Sequence, residues 1–282
     1  MSKNLETASK KYAQLNIPQN PSHRLPLCLP RTSLTLPTTH STLRSQLVVI
    51  KTRLYKDEVA FLEAIRSNIH ISGSERIGGM LIDKGDEIAP ARYSWAALEP
   101  VFGQDLFTLS TRRKVRTFPA SLVAHIFIEV LEAIRWLHGL NPKGIFHGDI
   151  GNPANIMLEM FPRAGGLRVL GLPNVVMVDF GAGGWCEDMD GAVCYDATEF
   201  RGLMACLAND TGDRFLHGIV ESYACSPDPS PDEIWLRWQE EATKRRGDGP
   251  FVVPEGLLVE LGKLVVSDEA MEAAVEEAIT ID

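Results

Sequence analysis

Residues 145–156 read IFHGDIGNPANI, and residues 178–181 read VDFG. The first stretch follows the strongest helical pattern in the chain, Phe118–Leu140, where Leu122, Ile126, Val130, Ala133 and Leu137 recur on one face. Two short apolar strands are expected after it, Asn155–Leu158 and Asn174–Val178, separated by the Gly- and Pro-bearing segment Phe161–Pro173. His147, Asp149 and Asn155 therefore fall between a long helix and a strand, and Asp179 falls at the end of the next strand.

Upstream, residues 1–45 are rich in Pro, Ser and Thr and contain no glycine; Leu5–Leu15 reads as a short helix and the remainder as strand or loop. Gln46–Lys51, QLVVIK, is a β-branched apolar run too short for a helix and reads as a strand. Asp57–Ser67 follows with Val59, Leu62 and Ile65 at helical spacing, and Arg76–Asp83 and Tyr93–Val101 read as two further strands. Beyond Tyr195 the patterns are helical, over Thr198–Ala208, Arg214–Ala224, Pro231–Arg245, Pro254–Val265 and Asp268–Ile279.

The whole chain has 282 residues, 45% of them hydrophobic, with 28 Lys+Arg against 37 Asp+Glu and a formal charge of −9. This composition provides for a substantial core and excludes wholesale disorder, a collagen repeat and a disulfide-stapled miniprotein. The acidic balance argues against a nucleic-acid partner, which needs concentrated Lys and Arg. No stretch approaches the roughly 18 apolar residues of a membrane span, so no membrane partner is expected. Cys28, Cys186, Cys194, Cys206 and Cys225 form no C-x-x-C pair and read as reduced thiols of a cytoplasmic protein.

Four features occur together and in order, and with them the chain resembles the protein-kinase-like superfamily. HGD with a following Asn resembles the catalytic loop, VDFG the metal-binding turn, and Lys51 in VVIK the nucleotide-binding lysine. Leu98–Leu106, LEPVFGQDL, resembles the hinge between lobes. The resemblance implies an α+β, two-lobed fold with a small β-rich N-lobe over residues 46–99, extended by part of 1–45, and a mainly α C-lobe over 100–282.

What the resemblance implies for chemistry is phosphoryl transfer from ATP with Mg²⁺, where the protein supplies cations and alignment. Lys51 holds the α and β phosphates, and Glu58 or Glu63 fixes its rotamer. Asp149 orients the acceptor hydroxyl and takes its proton, whereas His147 packs and hydrogen-bonds the loop. Asp179 holds the metal together with an asparagine; NIML after the loop favours Asn155, and Asn152 is the alternative. Glu99 and Val101 meet the nucleotide base along the hinge, and Asp105 meets the ribose or caps a helix. The acceptor is a protein Ser/Thr or a small-molecule hydroxyl; a pseudokinase scaffold and a fold recruited to another reaction are the alternatives.

Several positions depart from the family. The first glycine of the chain is Gly73, so no Gly-rich loop precedes Lys51, and cover for the phosphates is expected from Arg31–Arg44 or not at all. Gly148 and Gly151 stand where protein kinases carry arginine and lysine. For the segment after Asp179, Ala197–Glu199 is the favoured closure, with Asp213 and Gly218 on an anchor helix; a shorter segment ending at Asp196 is the other alignment.

Overall fold

The computed structural model describes residues 7–17, 25–34, 39–52, 54–89, 91–111, 118–160, 167–169, 171–188, 191–222, 229–247, 251, 255, 261 and 267–281. It is a mixed α and β structure built on an antiparallel sheet. The sheet comprises β1 (Tyr12–Gln14), β2 (Leu27–Pro30), β3 (Val48–Thr52), β4 (Leu81–Lys84) and a fifth strand, Trp95–Leu98, which lies between β3 and β4. Two short helices, α1 (Arg31–Leu34) and α2 (His40–Gln46), join β2 to β3, and Thr39 caps the second through its hydroxyl. Helix α3 (Lys56–Ser67) follows β3 and buries Val59, Phe61, Leu62 and Ile65. A small hairpin, β5 (Glu87–Ala89) with β6 (Arg92–Tyr93), precedes Trp95–Leu98, which is β7.

The expected helix within Leu5–Leu15 is formed in part: residues 7–9 are helical, while Tyr12–Gln14 is a strand, with Tyr12 and Ala13 buried on opposite faces of the sheet in the period-two pattern of a strand. The expected strand Gln46–Lys51 starts two residues late, since Gln46 closes α2. Arg76–Asp83 is also divided, into a 3₁₀ turn at Ser74–Arg76 and then β4.

Next come β8 (Gln104–Asp105), α4 (Leu106–Thr111) and α5 (Ala120–His138). Strand β9 (Ile145–Phe146) leads into the HGD loop, followed by β10 (Ile156–Glu159) and β11 (Asn174–Met177). β12 (Gly184–Trp185) pairs back on β9. The chain continues through α6 (Ala192–Thr211), α7 (Arg214–Ser222), α8 (Pro231–Arg246) and α9 (Asp268–Ile281). Ser230 and Glu233 form a reciprocal capping box at the start of α8.

Helix α5 is buried on nearly every side, so it carries the main core. That core runs continuously from Val59, Phe61 and Leu62 of α3 through Ile126 and Phe127 of α5 to Phe200 and Leu203 of α6. Glu129, within this helix, is 2% exposed and accepts from Arg168 Nε at 2.9 Å, which satisfies its charge. Among the described residues no helix is long and apolar enough to cross a membrane. Cys28, Cys186, Cys194 and Cys206 are free thiols; Cys225 and most of Pro254–Val265 lie outside the described residues.

Helix α9 departs from its expected grouping with the second part of the chain. Met271, Ala274 and Ala278 pack with Ala13, Leu15 and Leu29 of the sheet and with Leu43 and Leu47 around α2.

Candidate active site

Lys51 stands on β3 opposite Ala96 of β7, and its pairing with that strand fixes its backbone. Its Nζ donates to Glu58 Oε1 at 2.6 Å and to Asp179 Oδ1 at 2.7 Å. Burial works against the ammonium, but the two carboxylates outweigh it and hold the amine above its ordinary value. Burial pushes the Glu58 carboxyl up despite Lys51. For Asp179 burial also pushes upward, yet Lys51 and the Gly181 N–H outweigh it and hold the carboxyl below its ordinary value. Glu63, the other expected partner, faces away and pairs with Lys84 at 2.6 Å.

Asp179 is held at φ 67°, a left-handed conformation rarely adopted by a residue with a side chain. Its surroundings impose this. Val178 N donates to the Asn155 carbonyl at 2.9 Å, and Phe180 is buried against His147 with ring centroids 4.9 Å apart. The Asp149 N–H donates to His147 Nδ1 at 3.3 Å, so the imidazole proton sits on Nε2, which donates to the Val178 carbonyl at 3.0 Å. Complete burial holds His147 below its ordinary value and therefore neutral. The residue ties the Asp149 loop to the turn that carries Asp179.

Asn155 is 5% exposed, and its Nδ2 donates to the Asp149 carbonyl at 2.9 Å and to Asp149 Oδ2 at 2.8 Å. Both amide protons are thus committed to Asp149, which turns Oδ1 away from it. Asn152 instead caps the 3₁₀ turn Pro153–Asn155 by accepting from Ala154 N, and donates to Asp149 Oδ2 at 3.2 Å.

The loop is held from below by α6, a support that the sequence reading did not assign. Asp196, fully buried, accepts from His147 N at 2.8 Å and Gly148 N at 2.9 Å, and meets His138 Nε2 at 2.9 Å. One helical turn later, Glu199 Oε2 accepts from Gly151 N at 3.1 Å. The D-x-x-E spacing of Asp196 and Glu199, which puts both on one helix face, was the available signal. The favoured closure at Ala197–Glu199 is therefore corrected: these three residues lie inside α6, and the shorter segment is the one formed.

The two glycine departures have steric causes. Gly148 has φ 79°, and a Cβ there would meet the Ala182 carbonyl oxygen at 2.3 Å. A Cβ on Gly151 would meet Glu199 Oε2 at 2.6 Å, so no side chain fits at either position without displacing a support of the loop.

The segment Glu99–Gly103 connects β7 to β8, with Glu99 N donating to the Met80 carbonyl at 2.8 Å. Gly103 lies against the β10 backbone, where a Cβ would meet the Leu158 carbonyl oxygen at 2.6 Å. Asp105 is 8% exposed, accepts from Thr108 N at 2.7 Å and from Gln104 Nε2 at 3.2 Å, and so caps α4. Of its two expected roles, the helix cap is the one formed. Of the expected cover from Arg31–Arg44, the described parts are α1 and α2, between β2 and β3, and residues 35–38 lie outside the described residues; Leu15–Pro26 is the connection that follows β1.

Among the described residues no group of three or more His, Cys, Asp or Glu could by itself hold a metal ion. The Asp179 carboxylate and Asn155 Oδ1 are two hard oxygen donors, a set that fits Mg²⁺ completed by phosphate oxygens. No protein-family model matches the chain, and a search of curated proteins finds no relative.

Proposed function

We propose that the chain is a Mg²⁺- and ATP-dependent phosphotransferase with a two-lobed, protein-kinase-like fold, acting on a hydroxyl acceptor. The observation that carries this reading is the Glu58–Lys51–Asp179 bridge, with contacts of 2.6 and 2.7 Å, beside an Asp149 whose carboxylate is oriented by Asn155. A cation fixed between two anions on rigid elements is the arrangement needed to hold phosphates, and Asp149 is suited to accept a hydroxyl proton.

In this reading the Glu99 and Val101 backbone receives the base, and Lys51, released from Asp179, holds the α and β phosphates. Asp179 and Asn155 hold Mg²⁺, which when bound neutralises charge on the transferring group. Asp149 Oδ2 is committed to the two asparagines, which presents Oδ1 to the acceptor. Only residues 180–191 separate Asp179 from α6. So short a segment offers little shelf for an extended peptide, and this favours a small-molecule hydroxyl over a protein Ser/Thr.

A pseudokinase scaffold is the second reading, favoured by one observation: the connection between β1 and β2 has no glycine, so no backbone there approaches phosphates without a Cβ. Calorimetry with Mg·ATP, followed by incubation with γ-labelled ATP and candidate acceptors, tests both. Transfer or slow hydrolysis abolished by Asp149→Asn supports the enzyme; binding without turnover supports the scaffold; no binding sinks the nucleotide reading.

A further inference from the structure

Side-chain alternation divides the five-stranded sheet into two faces. Lys51 shares its face with Val49, and the register places Leu27 opposite Val49 and Ala13 opposite Leu29. The N–H of Leu15 donates to the Leu27 carbonyl at 2.8 Å, which continues this row past the end of β1. The other face, with Tyr12, Cys28, Val48, Ile50, Trp95 and Ala97, forms its own small core under Ala8.

The Lys51 face is covered by two different bodies. Around Ala96, Leu98 and Val49 it packs on the main core. Around Ala13, Leu15, Leu27 and Leu29 it packs on Met271, Ala274, Val275 and Ala278 of α9, and Phe102, from the segment proposed to receive the base, joins the same group. The C-terminal helix therefore lies against the sheet row that would roof the base, next to the connecting segment.

We infer that α9 is an internal plug over the base end of the nucleotide cleft, and that nucleotide binding and docking of this helix exclude one another. The inference rests on the nucleotide reading above and adds its regulation. The helix is built to leave. Among the described residues its packed face is mostly alanine, Ala270, Ala274 and Ala278, with Met271 and Val275 as the larger apolar groups, so little apolar area holds it. It is also held, among the described residues, by an ion pair of Asp268 with Arg44 of α2 and a 3.5 Å bond from Asn16 to Glu277, both at the surface. Fourteen residues make a marginal helix once undocked.

The test uses the full chain and Mg·ATP, with affinity read by calorimetry and α9 docking read by amide hydrogen exchange. Met271→Asp puts a carboxylate into the apolar seam; it should raise exchange over 268–281 and tighten Mg·ATP binding about tenfold, the factor for a helix docked about nine-tenths of the time. Arg44→Glu and Asp268→Arg, surface changes that leave the cores alone, should each tighten binding about two- to fivefold, and the double variant should return it toward wild type. Saturating Mg·ATP should speed α9 exchange in the wild type, as linkage demands. An undocked α9 with unchanged affinity overturns the inference and leaves the nucleotide reading standing. Failure of every form, including the undocked ones, to bind Mg·ATP overturns both.

Discussion

Lys51 and Glu58 meet at 2.6 Å although only seven residues separate them. The short connection suffices because Lys51 is one residue from the end of its strand and Glu58 lies in the first turn of α3, so little chain is needed to bring them together. Trp185 of β12 packs edge-on against Phe61 of the same helix at 5.0 Å, so the strand after Asp179 also holds α3 in place. Three elements thus converge on one ammonium, and its removal is the most direct test of the site.

Lys51→Met should lower turnover by about 10²–10³, the scale for losing one preorganised electrostatic contact. The change leaves Glu58 buried without its cation, so Lys51→Met with Glu58→Gln should be more stable than Lys51→Met alone. Phosphate-transfer rates and urea midpoints on the wild type, Lys51→Met and the double variant check both statements.

Asp149→Asn should reduce turnover by about 10²–10⁴ while leaving Mg·ATP affinity within a few-fold of wild type, since in the proposed reading the side chain serves the acceptor and not the nucleotide. Steady-state rates beside calorimetry separate the two quantities; a parallel loss of affinity would contradict the assigned role.

Asp196→Ala removes the acceptor for two backbone N–H groups and His138 in a site with no solvent. It should destabilise the fold by about 3 kcal/mol. Glu199→Gln, which keeps an acceptor for Gly151 N, should cost under about 1 kcal/mol. Equal losses by denaturant titration would place the loop's support elsewhere.

Gly148→Ala should cost about 2 kcal/mol, because the position combines a left-handed backbone with a carbonyl oxygen where the Cβ must go. Gly202→Ala is the control: its nearest contact would be the Gly151 Cα at 3.9 Å.

Burial lowers His125 to about 4, against an ordinary value of 6.5, with Glu129 raising it and Arg168 and Arg246 lowering it further. The unfolded chain therefore takes up this proton below about pH 6.5 while the folded chain refuses it until about pH 4. Stability attributable to neutral His125 is present above pH 6.5 and falls with pH across that window, by up to about 3 kcal/mol. The melting temperature should drop between pH 7 and 4.5, and His125→Gln, which retains a donor toward the Pro173 carbonyl, should show a shallower drop.

Much of this site was legible in the sequence because its parts are local. A strand ending in lysine, a helix opening on acids, and an asparagine just before a strand each depend on neighbours within a few residues. The resemblance of these short motifs predicted Lys51, Glu58, Asp149, Asn155 and Asp179 as one set, and the structure brings Lys51, Glu58 and Asp179 into contact and Asn155 onto Asp149.

What remained hidden were relationships between distant segments, where one residue's role is set by what packs against it. Whether Asp105 holds a ligand or caps a helix depends on the Thr108 N–H and the Gln104 amide that meet it. Asp196 looks like any acid near a helix start until the fold seals it beneath the His147 and Gly148 amides. The C-terminal pattern of acids and alanines specified an amphipathic helix but not the surface it would cover, because a stripe of small apolar residues fits many partners. The sequence by itself determined most of the elements and which residues neighbour one another at their ends, because those depend on local pattern; only tertiary packing, which joins segments far apart in the chain, decided that α9 lies on the sheet face that Lys51 shares.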